Sequence, residues 1–239
     1  MSVVEIKKEL GKKAAQLVQN GMIVGLGTGS TAECFIQSLV DRLRLEGLKI
    51  KMVASSKESA QLVMSKGLQV ADLNEVSHVD LTVDGADEID PQKRLIKGAG
   101  GALLREKILA AASREMVVIA DESKLVAHLG KTKLPLEILP YGARITQLHL
   151  EALGFKGQWR GSLKGKGSSI RLPHVDEDLF ATEQGNVILD LFFDQPLREP
   201  NLVHEELIRI PGVIETGFFF GLAGRILIGR ADGKIETIL

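Results

Sequence analysis

The chain has 239 residues, 44% apolar and 26% charged, with 30 basic side chains against 31 acidic ones and a net charge of −1. That composition fills an ordinary core and excludes a disordered chain, while the charge balance excludes a dominant nucleic-acid footprint. A single cysteine, Cys34, excludes an internal disulfide and a cysteine zinc cluster, and the five histidines lie too far apart for helical metal-ligand spacing.

Residues 1–5 lack the basic and apolar regions of a signal peptide, and no run approaches about 18 apolar residues, so a cytoplasmic protein without a membrane span is expected. Ser2-Val3-Val4-Glu5 reads as a capping box, followed by Ile6, Leu10, Ala14, Leu17 and Val18 at helical spacing. Met22 to Leu26 reads as a buried strand, Gly27 to Thr31 as a turn, and Phe35, Ile36, Leu39, Val40 and Leu43 as one face of a second helix. The alternation continues with a strand at Met52 to Ala54, a helix at Glu58 to Ser65 and a strand at Leu81 to Val83. An acidic loop, Asp84 to Asp90, precedes a brief strand at Leu95-Ile96. A glycine turn then leads into a helix carrying Leu103, Leu104, Ile108 and Ala111, and Met116 to Ala120 is another buried strand. Strands alternating with helices define an α/β fold, a mostly parallel, Rossmann-like sheet covered on both faces.

After about Lys124 the texture changes. A strand is expected at Leu136 to Leu139, flanked by Pro135 and Pro140, with a helix at Thr146 to Leu153 and an exposed hairpin tip at Gly161 to Ser169. A strand at Asn186 to Phe193, a helix at Leu202 to Ile208 and strands at Val213 to Phe220, Arg225 to Gly229 and Ile235 to Leu239 complete the chain. The third quarter therefore reads as a second, smaller α+β unit.

Three loops carry candidate chemistry. Gly27-Thr28-Gly29-Ser30-Thr31-Ala32 matches G-x-G-x-x-A, but the next strand ends in Ala54-Ser55-Ser56, without the acid that a dinucleotide ribose requires. Hydroxyls at Thr28, Ser30 and Thr31 beside free helix amides suit a phosphate monoester instead, the bland alternative being a capped turn. Asp84-Gly85-Ala86-Asp87-Glu88-Ile89-Asp90 lies past the carboxyl end of a strand, where open α/β sheets bind ligands. Asp84 is the inward-facing acid on this reading, whereas Glu88 and Asp90 read as a solvated turn. Lys97 supplies a positive partner without a metal.

In Lys97-Gly98-Ala99-Gly100-Gly101 the lysine precedes the glycines, so this is no Walker loop. The glycines admit close ligand approach and leave helix amides as donors. Glu106 falls one turn into the following helix; half-buried, its pKa would rise toward that of a general base. Spacing alone favours an exposed glutamate paired with its basic neighbours. Asp121-Glu122-Ser123-Lys124 follows a strand and either brings Lys124 to the same mouth or merely caps a turn. Cys34 and Trp159 read as core, and Gly165-Lys166-Gly167 as a solvated tip.

Together, Gly25 to Ala32, Asp84 to Asp90, Lys97 to Lys107 and Asp121 to Lys124 resemble the signature segments of the type A ribose-5-phosphate isomerases, with further likeness at Leu134 to Glu137 and Ile210 to Val213. The resemblance implies an α/β domain with a CoA-transferase-like sheet (residues 1–128 and 206–239). It also implies a ferredoxin-like lobe (129–205) at the interface of a homodimer or homotetramer. It implies isomerisation of ribose 5-phosphate and ribulose 5-phosphate, in the non-oxidative pentose phosphate pathway, through a cis-enediolate, with no cofactor, metal, nucleic acid or membrane. Carried over, the base is Glu106, with Asp84, Asp87 and Lys97 assisting. Substrate contacts fall on Thr28, Gly29, Ser30, Thr31, Asp84, Gly85, Ala86, Asp87, Lys97, Gly98, Ala99, Gly100 and Lys124. Two departures stand out. Ala99 replaces a glycine, which would cost about 1 kcal/mol if that position needs a positive φ. Glu183 and Gln184 alter a Thr-Asp-Asn-Gly-Asn segment expected at a turn outside the pocket. The competing readings are glutamyl acyl transfer in the manner of CoA transferases and a sugar-phosphate sensor without turnover.

Overall fold

The computed structural model describes residues 1–162, 168–173 and 175–239. In chain order the elements are α1 (Val3–Ala15), β1 (Ile23–Leu26), α2 (Ser30–Glu46), β2 (Lys51–Ala54), α3 (Lys57–Met64), β3 (Leu81–Asp84), β4 (Glu88–Ile89) and β5 (Leu95–Ile96). Then follow α4 (Leu103–Ala111), β6 (Met116–Asp121), β7 (Leu134–Ile138), α5 (Ala143–Ala152), β8 (Lys156–Trp159), β9 (Ser168–Ile170) and β10 (Leu179–Ala181). The last are β11 (Val187–Phe192), α6 (Pro200–Ile208), β12 (Val213–Thr216), β13 (Phe218–Phe219), β14 (Ala223–Gly229) and β15 (Ile235–Ile238). Much of the hairpin tip expected at Gly161 to Ser169, including Gly165-Lys166-Gly167, lies outside the described residues.

The chain divides into two compact units, one of Met1–Ala86, Arg105–Leu125 and Phe219–Leu239, the other of Asp87–Leu104 and Val126–Phe218.

The first unit is built on a six-stranded sheet in the order β15-β14-β6-β3-β1-β2, parallel from β14 to β2 and closed by antiparallel β15. Side chains alternate across a strand, so Val24 and Leu26 face one way and Ile23 and Gly25 the other. On the first face α1, α2 and α3 bury Ile6, Leu10, Phe35, Leu39 and Val63 against Val24, Leu26, Val83 and Ile119. On the second, Leu109 of α4 packs with Val53 and Val79. The capping box forms as read, Ser2 N donating to Glu5 Oε2 at 2.7 Å and Glu5 N to Ser2 Oγ at 3.3 Å. Helix α1 stops at Ala15, short of Val18; the chain tightens there, with Leu17 N on Ala14 O and Val18 N on Ala15 O, and Arg42 of α2 satisfies the carbonyls of Ala15 and Val18.

The second unit carries an antiparallel sheet in the order β12-β7-β11-β10-β9, with β8 also on β11. Helix α5 packs on β8 and α6 on β12, which gives the smaller α+β lobe. Strands β8, β9 and β10 escaped the sequence reading because β8 and β9 are mostly exposed and show little apolar alternation. Strand β7 runs through Pro135 rather than starting after it. Opposite stands Gly217, whose N–H donates to the Pro135 carbonyl at 2.7 Å and whose missing side chain leaves room for the ring. The single strand expected at Val213 to Phe220 is broken there, since the Gly217 carbonyl accepts from Lys97 N at 2.8 Å.

Among the described residues no helix is long and apolar enough to cross a membrane.

Candidate active site

In the first unit the turns after β1, β3 and β6 emerge at the carboxyl edge of adjacent parallel strands, the edge at which open α/β sheets take ligands. The turn after β1 is tightly held. Gly27 N donates to Val83 O at 2.9 Å, Thr28 N to Asp84 Oδ1 at 3.1 Å, and Ser59 Oγ to Gly27 O at 2.6 Å. Ser55 Oγ donates to Leu26 O at 3.0 Å, so in the 2.7 Å pair with Thr28 the threonine hydroxyl is the donor. Only glycine fits at position 27, where a Cβ would stand 2.2 Å from Asp84 Oδ1. Helix α2 starts at Ser30 with no side chain capping its amides, which leaves a site suited to an anion. Lys7 of α1 adds a cation there, its Nζ donating to Ser30 Oγ at 2.8 Å. Sequence reasoning missed Lys7; its only signal is a position on α1 next to buried Ile6, and nothing in the sequence says which loop that flank meets.

Asp84 ends β3 with 1% exposure and accepts from the amides of Thr28 and Gly85, the latter at 2.7 Å. Gly85 and Ala86 are half-buried beyond it. Glu106, one turn into α4, is 4% exposed, which rejects the exposed glutamate that spacing favoured. The crossover from β3 through α4 to parallel β6 places the amino end of α4 toward the same carboxyl edge. Lys124 closes a short 3-10 turn capped by Asp121, whose Oδ1 accepts from Ser123 N at 3.1 Å, and is half-buried. Cys34 is half-buried on α2 rather than core, and burial, with Glu33 beside it, pushes its thiol up.

In the second unit Asp87 Oδ2 accepts from Ala99 N at 3.0 Å, tying the acidic loop to the glycine loop. Lys97 is 3% exposed. Gly98 and Gly101 adopt φ of 106° and 83°, a region costly to side-chain-bearing residues. Ala99 does not: the only non-glycine with positive φ among the described residues is Lys93, so the alanine sits where an L residue is tolerated. Ala99 and Gly100 are exposed.

Glu88 and Asp90 are corrected from a solvated turn to buried structural acids. Glu88 accepts from the amides of Gly130, at 2.7 Å, and Thr132; Asp90 accepts from Gln92 N and Arg94 N and pairs with the Arg94 guanidinium at 2.6 Å. Burial costs a carboxylate little when donors replace its water. Trp159 is core as read, its indole N–H meeting Gln147 Oε1 at 2.9 Å. Glu183 and Gln184 lie exposed at the tip of the turn between β10 and β11. Its flanks, Thr182 and Asn186, each donate at 2.9 Å to Oε1 of buried Glu137. Among the described residues no group of three or more His, Cys, Asp or Glu could hold a metal ion.

The fold and these turns define an α/β protein with an uncapped strand-to-helix turn suited to an anion and a buried carboxylate near the sheet's carboxyl edge. Residues 51–233 match the family model for ribose 5-phosphate isomerase A (phosphoriboisomerase A). The chain is 43% identical over 235 residues to ribose-5-phosphate isomerase A of Protochlamydia amoebophila, covering 98% of this chain and 96% of that one. Its structure resembles that of ribose 5-phosphate isomerase A from Methanocaldococcus jannaschii, with a TM-score of 0.88, 34% identity and 99% of each chain covered. It also resembles a D-ribose-5-phosphate isomerase in complex with phospho-erythronic acid, with a TM-score of 0.90, 33% identity and 100% and 99% coverage. The chain belongs to the ribose 5-phosphate isomerase A family and is an isomerase.

Proposed function

We propose that the chain interconverts ribose 5-phosphate and ribulose 5-phosphate, with the Glu106 carboxylate as the base that moves the proton between adjacent sugar carbons. The observation that carries this reading is a carboxylate 4% exposed, one turn into the helix that follows the Lys97–Gly101 loop. Sheltered from water, it is matched to proton abstraction from a weakly acidic carbon. The base takes the proton from C2 of the open aldose, the carbonyl electrons shift to O1, and a cis-enediolate forms. Return of the proton to C1, with proton exchange between the two oxygens, gives the ketose.

Asp84 and Asp87 assist ring opening and the hydroxyl proton transfers. Lys97, the loop amides around Gly98, Ala99 and Gly100, and Lys124 stabilise the developing oxyanion. The phosphate takes the turn Thr28, Gly29, Ser30 and Thr31 with Lys7, and Gly85 and Ala86 line the sugar. Phospho-erythronic acid, seen in a relative, joins a phosphate to a carboxylate whose charge resembles that of the enediolate, which supports the same reading. Assembly as a homodimer or homotetramer through the smaller lobe belongs to the proposal, as does a cytoplasmic location, since the doubly charged substrate does not cross a bilayer unaided.

The test is ketopentose formation from ribose 5-phosphate with chelator present. Glu106→Gln should lower kcat by about 10²–10⁴-fold while KM changes little. Near-normal turnover in that variant removes Glu106 from the role.

A further inference from the structure

The second unit buries a cation that the mechanism above does not use. Arg160, immediately after β8, is 9% exposed, and Asp190 of β11 is 4% exposed. Arg160 Nε donates to Asp190 Oδ2 at 3.0 Å, its Nη2 donates to Oδ1, and Lys133 Nζ donates to the same Oδ2 at 2.6 Å. Two cations on one carboxylate leave charge to spare, and Arg160 directs it at the backbone: Nη1 donates to Gly98 O at 2.9 Å and Ala99 O at 3.2 Å. Its own backbone is fixed, with Arg160 N on Ile188 O and Phe180 N on Arg160 O.

The geometry points to Arg160 as a positioning residue for the substrate loop, holding two successive peptide planes so that the Ala99 amide stays on Asp87 and the Gly100 amide is aimed at the reacting sugar. This rests on the function proposed above. A trans peptide sets its N–H opposite its carbonyl, so gripping the carbonyls of Gly98 and Ala99 turns the amides of Ala99 and Gly100 the other way. The first of these amides meets Asp87 at 3.0 Å, and the second belongs to an exposed residue. Oriented donors act on charge that develops during reaction only if they need not reorganise. A planar guanidinium can hold a carboxylate and two carbonyls at once, which a lysine ammonium cannot match. Buried ion pairs contribute little net stability over apolar replacements, so stability gives little reason for Arg160 to be there.

The test compares Arg160→Lys, which keeps the charge but loses the fork, with Lys133→Met, which strips a cation from Asp190 without touching the loop. Arg160→Lys should lower kcat by about 10-fold or more, with KM and inhibition by inorganic phosphate within about threefold of wild type, because a misaimed donor weakens transition-state rather than ground-state contacts. Lys133→Met should keep kcat within about twofold. In Arg160→Ala, added guanidinium at millimolar concentration should restore part of kcat. Equal losses in Arg160→Lys and Lys133→Met, failure of Arg160→Lys to fold, or kcat within twofold of wild type in a folded Arg160→Lys overturns the proposal. Failure of the underlying reading is separately visible, as a wild-type protein that forms no ketopentose.

Discussion

Lys7 shows how much one side chain can add to a turn. The Thr28–Thr31 segment offers amides and hydroxyls, but the 2.8 Å contact between Lys7 Nζ and Ser30 Oγ sets a full positive charge beside them. A charge-assisted hydrogen bond contributes about 1.5–3 kcal/mol, so Lys7→Met should weaken inhibition by inorganic phosphate and raise KM by about 10-fold or more, with a smaller effect on kcat. An unchanged phosphate inhibition constant would separate Lys7 from the anion. Replacing Ser30 and Thr31 by alanine should act in the same direction. Residue chemistry at this site was only partly legible. Thr28, Ser30, Thr31 and Asp84 announced themselves by following apolar strands. Lys7 lies on a helix about 20 residues away, and helical periodicity reports which face is buried without naming what lies beside it.

At the scale of elements, the turn after β1 depends on a missing side chain. A Cβ on Gly27 would stand 2.2 Å from Asp84 Oδ1, so the turn and the acid cannot both keep their places. Gly27→Ala should destabilise the protein by about 1–3 kcal/mol, the usual cost of overpacking, and lower kcat as Asp84 is displaced. A variant that melts with the wild type and turns over normally would show that the turn adapts. The acidic loop teaches the converse lesson. Glu88 and Asp90 read as a solvated turn, yet both are buried and spent on the amides of residues 130 and 132 and on Arg94. Repulsion within such a run is relieved for Asp90 by near neighbours and for Glu88 by amides more than forty residues on, which no local pattern reveals. Alanine at position 99 resolves similarly, because the positive φ values fall on Gly98 and Gly101.

For the molecule as a whole, Glu137 links folding to pH. Burial pushes its carboxyl above the ordinary 4.5, against the lowering effect of hydrogen bonds from Asn186, Thr182 and the Leu104 amide. A carboxyl that holds its proton more tightly when folded contributes stability that is complete below pH 4.5 and is lost as pH rises through the elevated pKa. Glu137→Gln cannot titrate, so its stability relative to wild type should improve as pH is raised from about 4 to about 8 in denaturant unfolding. A difference that stays flat or runs the other way would mean that the donors outweigh desolvation. The Leu104 amide is two residues before Glu106, so the same acid also anchors the start of the catalytic helix proposed above.

Written in the sequence are the alternation of strands and helices, the parallel sheet, the change of texture that announces a second lobe, and three loops rich in glycines, hydroxyls and charged groups. These follow from short-range periodicity and turn chemistry, which any stretch of a dozen residues carries within itself. Left to the tertiary structure were the burial of Glu106, against what spacing favoured, and the diversion of Glu88 and Asp90 to structural duty. So were the approach of Lys7 to Ser30 and the grip of Arg160 on the glycine loop. The contacts of Lys7, Glu88 and Arg160 join residues between 23 and 62 positions apart, and only packing brings such groups within the few ångströms over which charge and hydrogen bonds act.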